Sequence, residues 1–594
     1  MKGDKEPIRQ FNGFHHGEFQ ETVSHSLQYR PDIDGLRGVA VLAVLVFHLD
    51  RAWLPGGFVG VDVFFVISGY LITSIIVRAN EAESFSYWRF YQRRIARLFP
   101  ALLAMVLVTL VVAKGLYTSW DFANTSAAFS ASVLSIANFH QWMQGDYFTL
   151  SADAQPLMHC WSLSVEEQFY LVFPFLFCGL RRLGDRACVG IIGLVALASF
   201  AMSLSWRFEH ASSGFYLLPS RAWEMLAGSV LAMIPAARYS DRRWSCFGFM
   251  LIFGSFFILH EGPQFPGWQA SIPVFGSVLV LRHGNMGLLK WIPLVVVGRA
   301  SYSLYLWHWP VFSFVDYAGP YQSSETRLLL KLALTILLTS LSYRYLEKPL
   351  RVRLNRTQSR RFTYGILVLA LVVLGPLGYT LRKQYYVDGS DGRVFTPKEP
   401  TGTIVLMGDS QATMYGVLLR DLAEEAQKRL VVLCQAGKDP LVNGGLWESN
   451  FRRIQAERPD SVFLAFHWDK LPQEPSRLAE TLECLKPQVG QIILLTMPPD
   501  RPDLASRGSI RAGARPPFFE QPDKRAFRQR FNELAKEQVA EKVHILDTEP
   551  FFVRADGSIR AFDSDGRALY YDQKHLSHLG VSEVKGAVRA LFLK

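Results

Sequence analysis

The residues best suited to chemistry fall into two groups far apart in the chain. The first lies in residues 29–50, YRPDIDGLRGVAVLAVLVFHLD, where an almost wholly apolar run has Arg37 just before it and His48 near its end. Eleven helical residues separate the two, about three turns, so both side chains fall on nearly one face roughly 16 Å apart. Such residues are costly in lipid. Either they face a protein interior or a watery cavity and act on a charged ligand or a proton, or the arginine snorkels to headgroups and a neighbouring helix satisfies the histidine. The second group is Gly408-Asp409-Ser410 with Asp572-Gln573-Lys574-His575-Leu576. A serine where a strand runs into a helix sits near amides that stabilise an oxyanion. A distant histidine is its plausible base, and an aspartate three residues earlier can orient the imidazole. Each piece alone is also an ordinary helix cap or a surface turn.

These residues need two different scaffolds. Hydrophobic residues make up 49% of the 594, with 43 Phe and 14 Trp, and mean hydropathy is positive. Apolar runs around 36–50, 58–78, 99–117, 167–180, 189–206, 222–235, 244–260, 268–282, 300–317, 327–345 and 362–381 predict about eleven transmembrane helices. Residues 124–142, studded with Ser, Asn and His, read as interfacial or re-entrant. The net charge of +11 does not point to nucleic acid, because the positive residues cluster in short gaps between apolar runs. Arg89, Arg93, Arg94 and Arg97, then Arg181, Arg182 and Arg186, then Arg238, Arg242 and Arg243 fall in alternate loops, against Arg51, Arg207 and Arg221 on the other side. That asymmetry puts the N-terminus in the cytoplasm and everything after Tyr379 outside. The polar residues 1–28 form a cytoplasmic extension without a signal-peptide core, so the first apolar helix is the targeting signal. No cysteine spacing suggests a metal site.

Beyond a linker rich in Gly, Asp and Pro, residues 403–594 alternate strands (403–407, 430–434, 461–466, 491–496, 543–546) with helices (411–428, 475–485, 524–540, 579–593). This pattern predicts an α/β domain with a parallel sheet covered on both faces. Cys434 and Cys484 either pair outside the cytoplasm or remain free thiols.

Gly-Asp-Ser and the later Asp-x-x-His-Leu make the C-terminal domain resemble the SGNH-hydrolase family. The resemblance implies a Ser410–His575–Asp572 triad that handles acyl esters. Around Phe466-His467-Trp468-Asp469 the family's oxyanion asparagine is absent, so the oxyanion hole rests on the amides of Ser410 and Gly437. In the membrane part, Arg37 and His48 are joined by the motif at 57–72 (GFVGVDVFFVISGYLI), Arg93-Arg94-Ile95-Ala96-Arg97, the motif at 161–170 (WSLSVEEQFY), that at 303–310 (SLYLWHWP), and Leu346-Glu347-Lys348-Pro349. This ordered set resembles the acyltransferase-3 family of bacterial membrane O-acyltransferases, with residues 29–352 as its membrane domain and 353–402 as an extra helix and linker before the SGNH-like domain at 403–594.

The resemblance implies a multi-pass protein of the bacterial inner membrane with a periplasmic C-terminal domain. It would move an acetyl group from cytoplasmic acetyl-CoA to a hydroxyl of a cell-surface glycan, here expected to be lipopolysaccharide O-antigen, with peptidoglycan as the alternative. Acetyl-CoA is then the donor, with no permanently bound cofactor and no metal, and the partners are the glycan and membrane lipids. Arg37, Arg93, Arg94 and Arg97 suit the phosphates of CoA. His48 serves as general base or transient acyl acceptor, and Glu166 or Glu167 orients His48 or binds the acceptor, with Glu167 the chosen catalytic residue. Tyr305 and His308 are expected as packing and hydrogen-bonding residues of a polar cavity. A transporter-like acyl carrier with an outer acetylesterase domain is the competing reading.

Overall fold

The computed structural model describes residues 29–592 except positions 118, 145–154, 210, 236–240, 263, 285, 319–322, 386–392, 436–437, 468–475, 506–508, 511–513, 565–566 and 571–572. The first part is helical: α1 Pro31–Leu49, α2 Gly60–Glu81, α3 Tyr87–Leu116, α4 Ser119–Val133, α5 Ala137–Met143, α6 Cys160–Arg181, α7 Asp185–Glu209 and α8 Ala211–Tyr216. There follow α9 Leu218–Met233, α10 Arg242–Ile258, α11 Ser271–His283, α12 Ile292–Arg299, α13 Ser301–Ala318, α14 Ser324–Leu341, α15 Lys348–Leu354 and α16 Arg360–Tyr385. Each of the eleven apolar runs falls on one of these helices. Six helical stretches among the described residues are long and apolar enough to cross a membrane: Gly57–Glu81, Tyr87–Leu116, Cys160–Arg181, Asp185–Trp206, Ser324–Leu354 and Thr357–Tyr385.

Lipid offers helices no hydrophobic reason to associate, so they pack where small residues let backbones meet. Gly69 and Gly228 do this between α2 and α9. A β-carbon on Gly69 would stand 1.8 Å from the Met225 carbonyl oxygen, and one on Gly228 would stand 2.0 Å from that of Val66. Gly38 and Gly298 bring α1 against α12 in the same way. The core they frame holds Leu36, Ala40 and Phe47 of α1 with Val63 and Val66 of α2 and Trp161 and Phe169 of α6. The stretch at 124–142 proves to be α4, a short turn and α5, and its polar residues point inward: Thr125, Ser126, Ser130 and Asn138 are buried. Ser126 and Ser132 donate to carbonyls one turn back (2.7 Å each), so burial leaves these hydroxyls satisfied.

The C-terminal domain has a six-stranded mixed sheet in the order β1-β3-β2-β4-β5-β6. The strands are β1 Val394–Phe395, β2 Thr403–Gly408, β3 Arg429–Cys434, β4 Ser461–Ala465, β5 Gln491–Leu495 and β6 Val543–Leu546. Five run parallel as expected; β1, from the linker, is antiparallel to β3. Alternation along β2 divides the core: Ile404 and Leu406 enter one layer, Val405 and Met407 the other. The first layer is completed by α17 Ser410–Glu425, and the second by α18 Trp447–Glu457, α19 Ser476–Leu485 and α20 Pro522–Lys536. The helix α18 has no counterpart in the expected pattern, because few of its residues are apolar; only Asn450 and Ile454 are buried. The expected last helix is two, α21 His578–Glu583 and α22 Lys585–Phe592.

Candidate functional site

In the helical part, α1 places Arg37 and His48 on neighbouring chambers. The first, of about 70 Å³, is lined by Arg37, Arg94, Arg97, Ser68, Glu166 and Tyr170 among others. Arg94 and Arg97 lie three residues apart and share a face of α3. Arg93, one position earlier, is turned about 100° away and is exposed, so the fold does not bring it to the chamber. Three guanidinium groups line this chamber with one carboxylate, Glu166. Arg37 reaches Asp34 at 3.6 Å, while Glu166 is engaged by the Ser68 hydroxyl and the Tyr170 phenol. Arg94 Nε is a buried donor without a hydrogen-bond partner, which suits an anionic ligand. Glu347 lies near Arg97 and Arg37 and accepts from Ser303 Oγ at 2.7 Å.

The second chamber is smaller, about 30 Å³, and is lined by His48, His159, Asp62, Arg221 and aromatic side chains. Tyr305 and Val61 line both chambers, and the Tyr305 phenol bonds Ser162 Oγ at 2.7 Å in the shared wall. The hydrogen bonds here fix tautomers. His308 Nδ1 lies 2.6 Å from the Tyr305 carbonyl; a carbonyl only accepts, so Nδ1 carries the proton and Nε2 carries the lone pair of the neutral ring. His48 Nδ1 lies 3.1 Å from that Nε2 and must therefore donate to it. The lone pair of His48 is left on Nε2, ready to act as base or nucleophile. His159 is fixed similarly by the Leu306 carbonyl at 3.1 Å from its Nε2, which leaves a bare Nδ1.

His308 thus orients His48, the part assigned in the sequence reading to a glutamate. Glu167 does not do so: it takes a hydrogen bond from Ser135, towards α4 and α5, and lines neither chamber. Two adjacent helical positions diverge by about 100°, so Glu166 faces the arginines and Glu167 faces away. His308 is, as expected, a buried hydrogen-bonding residue beside the cavity; that its partner is His48 was not legible in the sequence. Nor did the sequence reveal the cluster of Arg221, Asp62 and Glu224. Arg221, counted there as a loop residue, is 1% exposed on α9 and pairs with Glu224 at 3.0 Å and Asp62 at 3.3 Å.

In the C-terminal domain Gly408 ends β2 where a β-carbon would collide with the Ala465 carbonyl at 1.8 Å. Asp409 caps α17, accepting from Gln411 N at 2.8 Å, and its other oxygen accepts from His467 N at 2.7 Å. Burial raises its pKa, against the pull of these amides. Ser410 opens α17 with Oγ 2.9 Å from His575 Nε2, close enough for proton transfer. The loop bearing His575 is tied down by Gln411 Nε2 donating to the Lys574 carbonyl at 2.8 Å. Asp572 and Gly437 lie outside the described residues. His467 occupies the segment where the oxyanion asparagine was sought. Cys434 is buried and Cys484 exposed, and both are free.

Residues 30–344 match an acyltransferase domain family, and residues 381–590 match the SGNH domain found fused to such domains. The chain is 31% identical over 382 residues to O-acetyltransferase OatA of Staphylococcus aureus, covering 59% of this chain and 62% of that protein. It is also 31% identical over 363 residues to peptidoglycan O-acetyltransferase OatA of Listeria monocytogenes, covering 56% of this chain and 57% of that one. The chain thus spans about 60% of the length of these curated relatives. A solved lipopolysaccharide acetyltransferase periplasmic domain of Salmonella ser. Paratyphi A aligns with 33% of this chain and 85% of its own at 14% identity, with a TM-score of 0.29.

Proposed function

The chain belongs to the membrane acyltransferase family that carries a fused SGNH domain, and we propose that it O-acetylates peptidoglycan with acetyl-CoA as donor. The acceptor replaces the O-antigen expected from the sequence, because the Listeria relative is named for peptidoglycan. The observation that carries the reading is the fixed tautomer of His48, with a free Nε2 beside a chamber of three arginines. The CoA phosphates would lie against Arg37, Arg94 and Arg97 on the cytoplasmic side of the inner membrane, with the pantetheine arm passing Tyr305 towards His48.

There the Nε2 lone pair bonds to the thioester carbonyl carbon, the carbon–sulfur bond breaks with its electrons on sulfur, and CoA thiolate leaves an acylimidazolium. The Nδ1 proton remains shared with His308. Beyond the last helix, the Ser410 oxygen bonds the acyl carbon as the His48 Nε2–acyl bond breaks with its electrons returned to the imidazole; the serine proton goes to His575 and from there to solvent. A sugar hydroxyl then bonds the acyl carbon, its proton passing through His575 to the Ser410 oxygen as the serine ester bond breaks. Protonation of the CoA thiolate on the inner side and loss of a hydroxyl proton on the outer side complete the balance.

The test is mass analysis of peptidoglycan from cells expressing the wild-type chain, His48→Ala or Ser410→Ala. Loss of acetyl ester in both variants is expected. Retained acetylation in Ser410→Ala would remove the serine relay, and full activity in His48→Ala would leave the membrane part a mere conduit.

A further inference from the structure

The smaller chamber holds more than a histidine. Its about 30 Å³ has room for two or three water-sized groups, at about 10–15 Å³ each. An acetyl group, with its carbonyl carbon, oxygen and methyl, is three heavy atoms; a butyryl group adds two methylenes. The walls are set in place. Phe58 and Phe265 meet edge to face with centroids 4.7 Å apart, and Phe58 also packs on Phe47, the neighbour of His48 in α1. Met158 is 5% exposed. Arg221 is clamped by the rings of Phe65, Trp161, Phe215 and Phe265, each 5.5–5.7 Å from its guanidinium carbon. Its Nε is a buried donor with no hydrogen-bond partner, which a carbonyl oxygen would satisfy. The chamber therefore offers an apolar end, an unspent donor and the bare nitrogen of His48 within a space of acetyl size.

We propose that this chamber holds the acyl group of the donor, that Arg221 receives its carbonyl oxygen, and that Phe58, Phe265 and Met158 limit the chain to two carbons. The inference rests on the transferase reading and names what selects the acyl group within it. In a tight pocket each excess methylene must displace packed side chains, whereas each missing one costs little, so discrimination against longer chains is the sharper.

The experiment uses the full-length chain in lipid vesicles with acetyl-, propionyl- or butyryl-CoA and a soluble N-acetylglucosamine tetramer, and follows release of free CoA thiol. Wild-type protein should use butyryl-CoA at least tenfold more slowly than acetyl-CoA. Met158→Ala and, as the milder change, Phe58→Leu should raise the butyryl-to-acetyl rate ratio about tenfold or more. Equal rates for the three donors in the wild type would overturn the proposal, as would an unchanged ratio in either variant that still transfers acetyl. Should both variants lose acetyl transfer, the wild-type series alone decides. Release of no thiol from any donor would instead sink the transferase reading itself.

Discussion

The chain contains two histidine-centred sites that solve one problem in opposite surroundings. His575 stands at the edge of a sheet, with its Nε2 on a serine that has a separate oxygen nucleophile to activate. His48 is half-buried among apolar helices; its only hydrogen-bond contact among those described is another imidazole. The chamber already holds the buried Arg221–Asp62 pair, and a further carboxylate behind the neutral His48 would add a charge without a partner. A neutral histidine fixes the same tautomer without charge. At the sheet the Asp409 cap and a tethered loop hold the serine and histidine in place; beside His48 the neutral ring of His308 places the proton.

The widest break in this comparison should come from the nucleophiles. Ser410→Ala and His48→Ala should each lower acetyl transfer to glycan by about a thousandfold or more, measured as ester per disaccharide. If only one does so, the two sites are not in series. Next comes the neutral support. His308→Ala should cut the rate on the order of a hundredfold with donor KM little changed, and His308→Gln, whose amide oxygen can still accept from His48 Nδ1, should recover part of it. An equal loss in both variants would mean that His308 is packing.

Arginine substitution sharpens the contrast between faces of one helix. Arg94→Gln should raise donor KM about tenfold, the order expected for loss of a charge-assisted hydrogen bond, while Arg93→Gln should change it less than twofold. Glu167→Gln should likewise stay within about twofold. The smallest effect belongs to the thiols. Burial pushes the Cys434 thiol well above its ordinary pKa, and the exposed Cys484 should be alkylated first at neutral pH, with little change in transfer. Faster labelling of Cys434 would contradict its burial under the sheet.

Much of this was readable from residue order. The short apolar run at 403–407 and those after it marked the strands almost to the residue, because a parallel sheet buried on both faces is built from continuous Val, Ile and Leu. The register of β1 was not readable, since two residues carry no periodicity. Ser410 with His575 was found through local turn chemistry, and the structure brings them within hydrogen-bond distance. Glu167 and Arg93 fall away from the chambers because, in a run of adjacent polar residues, composition does not say which faces inward; Arg221 was counted in a loop because it stands just before an apolar run.

The sequence by itself determined that apolar helices would precede an α/β domain, and that Arg37 and His48 would share a face of α1. Hydropathy and helical period are properties of contiguous residues. Which imidazole stands behind His48, which of two adjacent glutamates turns inward, and how large a space is left beside Arg221 were decided only by tertiary structure. Those facts depend on crossings such as Gly69 against Met225, where backbone contact sets helix rotation and so the direction of every side chain along it.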